Sequence, residues 1–299
     1  MKPFVNDCYS LNQQIGTFFC KTTLLIDYTQ ILISQQSLKS MLLRIVLFFF
    51  IMNGVTLIFV PYAQGHSITE VVAKVKPSVV GIGLYDAMGT QTHQLRGSGF
   101  VFGDGTLVAT NYHVISEELD PQKVQYHIVF SGTGLQPKIH KAEIIAKDRE
   151  HDLAILKLSS VLTPVKLAAS RYVEDGTDVL LTGFPIGAIL GLYPATHRGI
   201  IAATTPDVIP TVHSSQLSLN MLDRLEKKFM IYQLDITAYP GNSGSPLYSS
   251  ENGEVLGILN KVFVKESKET VLEKPSGISY AIPIKYLINL AKSKGVDVI

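Results

Sequence analysis

The sequence predicts an all-β chain, a barrel or sandwich, and three observations carry that prediction. Short β-branched and apolar runs recur from residue 78 onward, separated by turns rich in Gly, Pro and Asp. Few stretches between them keep a helical period. The composition, 46% hydrophobic, 9% aromatic and 17% charged over 299 residues, supplies a packed core and excludes a disordered chain.

The elements follow in order. Ser67–Lys76 is a short amphipathic helix and Ser78–Tyr85 (SVVGIGLY) the first strand. Gly99–Phe102 and Thr106–Thr110 pair as a hairpin across Gly103-Asp104-Gly105. Val124–Phe130, Ala142–Lys147, Leu153–Leu158, Asp178–Phe184, Thr196–Ala203, Met230–Asp235, Glu254–Val264 and Gly277–Ile282 continue the series. Leu217–Phe229 has helical spacing, with Leu219, Leu222 and Leu225 near one face. Ile284–Lys294 follows Pro283 and stops at Gly295, as a terminal helix does.

Charge and cysteine are unevenly placed. The formal net charge is +1, which removes the electrostatic argument for a nucleic-acid partner. Removing the four basic and two acidic residues of 1–65 leaves 22 basic and 23 acidic residues, with all eight His, in 66–299. Cys8 and Cys20 also fall in 1–65, so 66–299 can hold no disulfide, cysteine-based zinc site or cysteine nucleophile. No H-E-x-x-H spacing occurs among the histidines, and neither metal nor cofactor is expected.

Ile45–Val60 is uncharged, with Met41-Leu42-Leu43-Arg44 before it and small residues Ala63 and Gly65 after it. This reads as a signal peptide over 41–65 with an A-x-G-like cleavage site. The alternative is a membrane anchor through 42–60, since the apolar length approaches the roughly 17–25 residues that span a bilayer. Residues 1–40 show neither period, and Met41 stands where a signal would begin, so 1–40 reads as a non-structural extension.

Three strings carry chemistry. In Gly241-Asn242-Ser243-Gly244-Ser245-Pro246, glycines beside a serine allow a tight turn that exposes its hydroxyl and converges backbone N–H groups. Acyl transfer needs such donors for the charge on the tetrahedral oxygen. His113 follows the apolar strand Leu107–Thr110, and Asp152 opens the apolar run Leu153–Leu158, where a buried carboxylate needs a partner. His151 beside it is expected to face outward, by strand alternation. Each string alone is ordinary turn or core material. Together they give the order His, Asp, Ser on an all-β background, one of the convergent triad solutions and unlike the α/β-hydrolase order.

With these motifs the sequence resembles the chymotrypsin-fold serine peptidases, most closely the bacterial HtrA (Deg) branch. The matching strings are SITEVVAKVKPSVVGI (67–82), GSGFVF (97–102), ATNYHVI (109–115), HDLAILKL (151–158), GFPIG (183–187), HRGIIAA (197–203), QLDITAYPGNSGSPL (233–247), GEVLGI (253–258) and GISYAIPIKYL (277–287). The resemblance implies two six-stranded antiparallel barrels, about 67–165 and 166–283, with a terminal helix over 284–294 and the site in the cleft between them. It implies Ser243 as nucleophile, His113 as base, Asp152 as orienting acid, and the N–H groups of Gly241 and Ser243 as oxyanion hole. The pocket for the residue before the cut would involve Thr237, Leu259 and Lys261. Thr237 is uncharged, with Asp235 two residues further back, so cleavage is expected after small or medium aliphatic residues.

The sequence also departs from the family pattern. Ser245 stands where HtrA peptidases usually carry glycine. GNSGSP also occurs in staphylococcal glutamyl endopeptidases, but Gly257–Lys261 lacks the histidine those enzymes place there. The chain ends at Ile299, leaving no room for a PDZ domain, so PDZ-linked regulation is not expected. The expected function is an exported serine endopeptidase, periplasmic or secreted, acting on unfolded or exposed polypeptide segments. A catalytically silent peptide-binding or chaperone-like module on the same fold is the alternative.

Overall fold

The computed structural model describes residues 44–45, 47–49, 67–185, 191–207, 229–262 and 277–297, of 261 and 262 the backbone alone. The chain divides into two compact units, Met1–Gln64 and Gly65–Ile299. Residues 44, 45 and 47–49 of the first are helical. Among the described residues no helix is long and apolar enough to cross a membrane. The expected extension 1–40, most of the signal or anchor segment, and 217–228 of the helical stretch lie outside the described residues.

The second unit opens with α1 (Ile68–Val75), started by a capping box in which Ser67 and Glu70 satisfy each other's backbone N–H. Val71 and Val75 bury its apolar face. Six strands then close a barrel: β1 (Val79–Asp86), β2 (His93–Phe102), β3 (Leu107–Thr110), β4 (Gln125–Ser131), β5 (Lys138–Asp148) and β6 (Leu153–Leu158). A second barrel follows: β7 (Asp178–Gly183), β8 (Ala195–Pro206), β9 (Met230–Asp235), β10 (Pro246–Ser249), β11 (Val255–Val262) and β12 (Ile278–Pro283). All ladders within the barrels are antiparallel. The expected double barrel is the observed one.

Alternate residues of one strand serve two cores. In β2, Val101 points into the first barrel with Val80, Val108 and Leu156. Its neighbours Phe100 and Phe102 join a cluster that also holds Leu180, Tyr248 and Ile258 of the second barrel and Leu287 of the terminal helix. Leu181, one residue from Leu180, packs inside the second barrel with Tyr232, Leu234 and Leu259. Both faces of these strands are therefore apolar, so runs such as SVVGIGLY show no polar alternation.

The terminal helix α2 (Ile284–Ser293) buries Ile284, Leu287, Ile288 and Ala291, an i, i+3, i+4, i+7 stripe. It closes where Gly295 N–H reaches Lys292 O and Val296 N–H reaches Ala291 O, both at 3.0 Å, a Schellman arrangement.

Candidate active site

The carboxylate of Asp152 is the hub of the site, accepting hydrogen bonds from both barrels. The tight turn after β5 leaves Asp152 at φ 51°, the positive-φ non-glycine residue of the described chain. Its carbonyl accepts Tyr112 N–H and Asn111 Nδ2–H, each at 3.1 Å. Its Oδ1 accepts the His113 backbone N–H at 2.8 Å, and Oδ2 meets His113 Nδ1 at 2.6 Å. A carboxylate only accepts, so the imidazole carries its proton on Nδ1 and leaves Nε2 as a base. His113 begins a 3₁₀ turn, His113–Ile115, directly after β3, and its side chain stays half exposed.

The serine turn comes from the second barrel and is pinned by the first. Ser98 of β2 donates its N–H to Ser243 O and its hydroxyl to Gly241 O, both at 2.8 Å. Gly241 and Gly244 bracket Ser243 at φ 97° and 87°, a region that favours glycine. A Cβ on Gly244 would lie 2.1 Å from Ser98 O, so the two barrels approach through this missing side chain. Among the described residues, no acceptor is hydrogen-bonded to the N–H of Gly241 or of Ser243. Both remain available as donors.

Asn260 joins the two halves, and sequence reasoning missed it. The β11–β12 register shifts between Leu259 and Lys261, so Asn260 is a bulge residue outside the ladder. Its Nδ2–H donates to Asp152 Oδ2 at 2.9 Å, and its carbonyl accepts the Ser243 hydroxyl at 3.3 Å. The chain of contacts therefore runs His113, Asp152, Asn260, Ser243. The one sequence signal was a polar residue inside the apolar run of β11.

The other expected residues fall as follows. Thr237 is half-buried, between buried Ile236 and Ala238, and Asp235 is exposed at the end of β9. Leu259 turns its side chain into the barrel core, 1% exposed, and meets the serine turn through its backbone: Gly244 N–H reaches Leu259 O, and Leu259 N–H reaches Ser245 O, at 2.9 Å. Lys261 pairs in the ladder with Tyr280, and its side chain lies outside the described residues. Ser245 fits because Gly183 opposite it has none: a Cβ there would lie 1.9 Å from Ser245 Oγ. Among the described residues no three His, Cys, Asp or Glu converge to hold a metal ion.

The expectation that His151 faces outward is corrected. Strand β6 starts only at Leu153, and the left-handed Asp152 breaks the alternation on which that expectation stood. His151 is instead packed against both Tyr286 and Phe229 and bonded to Asp148. Burial alone would raise the Asp148 carboxyl, but the side-chain and backbone hydrogen bonds from His151 outweigh it and hold it below the ordinary carboxylate value.

Comparison with known proteins agrees with this architecture. The trypsin-like peptidase domain family matches residues 97–258. The chain is 31% identical over 211 residues to the serine protease Do-like HtrA of Lactococcus lactis, covering 68% of this chain and 45% of that protein. It is 29% identical over 210 residues to a probable periplasmic serine endoprotease DegP-like of Pseudomonas putida, covering 68% and 36%. The chain thus spans less than half the length of these curated relatives. Among solved structures, the HtrA-type protease AlgW with tripeptide superposes with a TM-score of 0.56 at 25% identity, covering 76% of this chain and 63% of that one. The serine endoprotease from Yersinia pestis gives 0.54 at 25% identity, covering 77% and 66%.

Proposed function

Because the chain belongs to the trypsin-like peptidase family, we propose that it is an exported, HtrA-like serine endopeptidase that cleaves exposed polypeptide segments through Ser243, His113 and Asp152. The observation that carries this reading is the carboxylate of Asp152, which holds the His113 imidazole at 2.6 Å and is joined through Asn260 to Ser243, in a turn whose Gly241 and Ser243 N–H groups have no acceptor among the described residues. The Ser243 hydroxyl turns from Asn260 O to His113 Nε2, which takes its proton as Oγ attacks the carbonyl carbon. The oxyanion forms against the N–H groups of Gly241 and Ser243; losing one such donor costs about 2.7–4 kcal/mol of transition-state stabilisation. His113 then protonates the leaving amine, and a water activated by the same imidazole hydrolyses the acyl-enzyme.

An uncharged Thr237 supports cleavage after Val, Ala, Ile or Leu. One methylene shifts selectivity by only about 1–3 kcal/mol, so the preference is broad. Dominant cleavage after Arg or Lys would assign Asp235 to the pocket, and after Glu would assign Lys261. The uncharged stretch Ile45–Val60 supports export.

The resting contact of Ser243 with Asn260 rather than His113 favours one other reading, a catalytically silent peptide-binding module on this fold. Fluorophosphonate labelling separates the two. Labelling of the wild type but not of Ser243→Ala supports the peptidase, and absence of labelling in both, with peptide binding retained, supports the silent module.

A further inference from the structure

The residue before the site's carboxylate is clamped by the opposite barrel. His151 N–H and Nδ1 meet Asp148 Oδ1 and Oδ2 at 3.0 and 2.7 Å, which fixes the ring on the β5–β6 turn. The ring stacks on Tyr286 of α2, with centroids 4.3 Å apart and planes at 24°. It also meets Phe229 edge-on at 4.7 Å and 66°, and Phe229 meets Tyr286 in the same way at 5.4 Å. Tyr286 is itself held: its hydroxyl lies 2.9 Å from that of Tyr172 and accepts Met230 N–H at 3.3 Å. Lys285 Nζ sits 4.0 Å above the Tyr172 ring. These contacts place a barrel-1 side chain in an aromatic slot built by barrel 2 and the terminal helix.

The adjoining backbone needs such a clamp. A non-glycine residue in the left-handed region persists only where its surroundings determine it. Downstream, Tyr112 N–H and Asn111 Nδ2–H pin the Asp152 carbonyl. Upstream, Arg149 lies over the Tyr112 ring of the same barrel at 5.3 Å, and His151 is the side chain shown to tie the turn to the second barrel and the terminal helix. A one-residue rotation there would swing Oδ1 and Oδ2 away from His113 and Asn260.

We infer that His151 is a positioning residue: packed against both Tyr286 and Phe229, it sets the backbone of Asp152 and thereby the direction in which that carboxylate grips His113. The inference rests on the reading of Asp152 as the triad acid. It also makes the terminal helix a determinant of turnover through Tyr286.

The test uses the full chain with His151→Ala, His151→Phe and Tyr286→Leu. Three quantities are measured: kcat and KM on a peptide substrate, the thermal midpoint, and the downfield proton resonance of His113 Nδ1–H, assigned by its loss in His113→Ala. His151→Ala should lower kcat roughly 10- to 100-fold, the scale of a catalytic group misplaced by about 1 Å. KM should stay within about twofold, and the resonance should shift or broaden, because positioning acts on chemistry rather than on binding. His151→Phe keeps a ring in the slot and should recover most of the loss. If His151→Ala does not fold, Tyr286→Leu reads the same slot from the other side. Lower midpoints with kcat and the resonance unchanged in both would overturn the inference and leave His151 a packing residue. A wild type without turnover or fluorophosphonate labelling would instead defeat the peptidase reading, while the resonance still reports whether His151 holds Asp152 to His113.

Discussion

Replacing Asn260 by leucine removes one of three hydrogen bonds to the Asp152 carboxylate and leaves the rest of β11 in place. The other two, from the backbone N–H and Nδ1–H of His113, remain at 2.8 and 2.6 Å. A hydrogen bond to a charged group contributes about 1.5–3 kcal/mol. The Asp152 side chain is 23% exposed, so water replaces part of what is lost and the net effect is nearer ~1–2 kcal/mol. At about 1.4 kcal/mol per tenfold, kcat/KM should fall roughly 5- to 30-fold. The main-chain acceptor of Ser243 is untouched by the change, so the loss reports on the side chain alone.

Asn260→Asp sharpens the test. It sets a second carboxylate 2.9 Å from Asp152 Oδ2, where like charges repel by several kcal/mol at an effective dielectric near 20. The pair relieves this by holding a proton, which weakens the grip on His113 Nδ1–H. The order of kcat/KM at neutral pH should be wild type, then Leu, then Asp. Rates should be normalised to active sites titrated with a fluorophosphonate, so that unfolded protein does not count. Unchanged kcat/KM in the leucine variant would refute the reasoning, and so would an aspartate variant as active as wild type.

Ser243→Ala and His113→Ala should each remove nearly all turnover, and the double variant should be little worse, because the groups act in one proton-transfer chain; additive losses would argue against the assignment. Burial holds the His127 and His197 imidazoles below the ordinary histidine value, with the Lys147 charge adding to the effect at His127. The unfolded chain takes up those protons near pH 6.5, roughly, and the native chain only lower, so this stability is complete above that pH and is lost as pH falls through it. His197→Phe should therefore flatten the dependence of the thermal midpoint on pH between about 7.5 and 5.5, and an unchanged slope would count against burial as its cause. Gly183→Ala should cost about 1–3 kcal/mol by overpacking, and Ser245→Gly should recover only part of it, because Asn242 Oδ1 at 2.9 Å and Ser98 Oγ at 3.0 Å still crowd the new Cβ; no recovery would show that Ser245 is not the main clash.

What the sequence made legible follows from what each residue touches. Strands such as Val79–Asp86 and Leu153–Leu158 announced themselves because barrel interior and barrel interface are both apolar. The expected starts of β2 at Gly99 and β5 at Ala142 were late by six and four residues. The missed portions are His93–Ser98 and Lys138–Lys141: His93–Arg96 and Lys138–Lys141 are largely solvent-facing without a hydrophobic period, and the buried Gly97 and Ser98 are too small and polar to extend one. His113, Asp152 and Ser243 were visible as motifs because each stands at a strand end or in a glycine-bracketed turn. Asn260 and His151 were not, since a bulge and a left-handed residue decide their directions, and neither leaves a compositional mark.

The same geometry explains why the cleft depends on both barrels at once. Ser98, fully buried on β2, holds Gly241 O and Ser243 O and accepts Phe184 N–H at 3.0 Å with its hydroxyl. One residue of the first barrel thus fixes the serine turn and the end of β7 in the second. Asn260 returns the exchange, reaching from the second barrel to the carboxylate of the first. Each barrel therefore supplies the other with the restraint that its own strands cannot give. A small shear along the interface would part Ser98 from the serine turn and Asn260 from Asp152 together, while leaving both barrel ladders intact. Activity should consequently respond to interface substitutions that global unfolding scarcely registers.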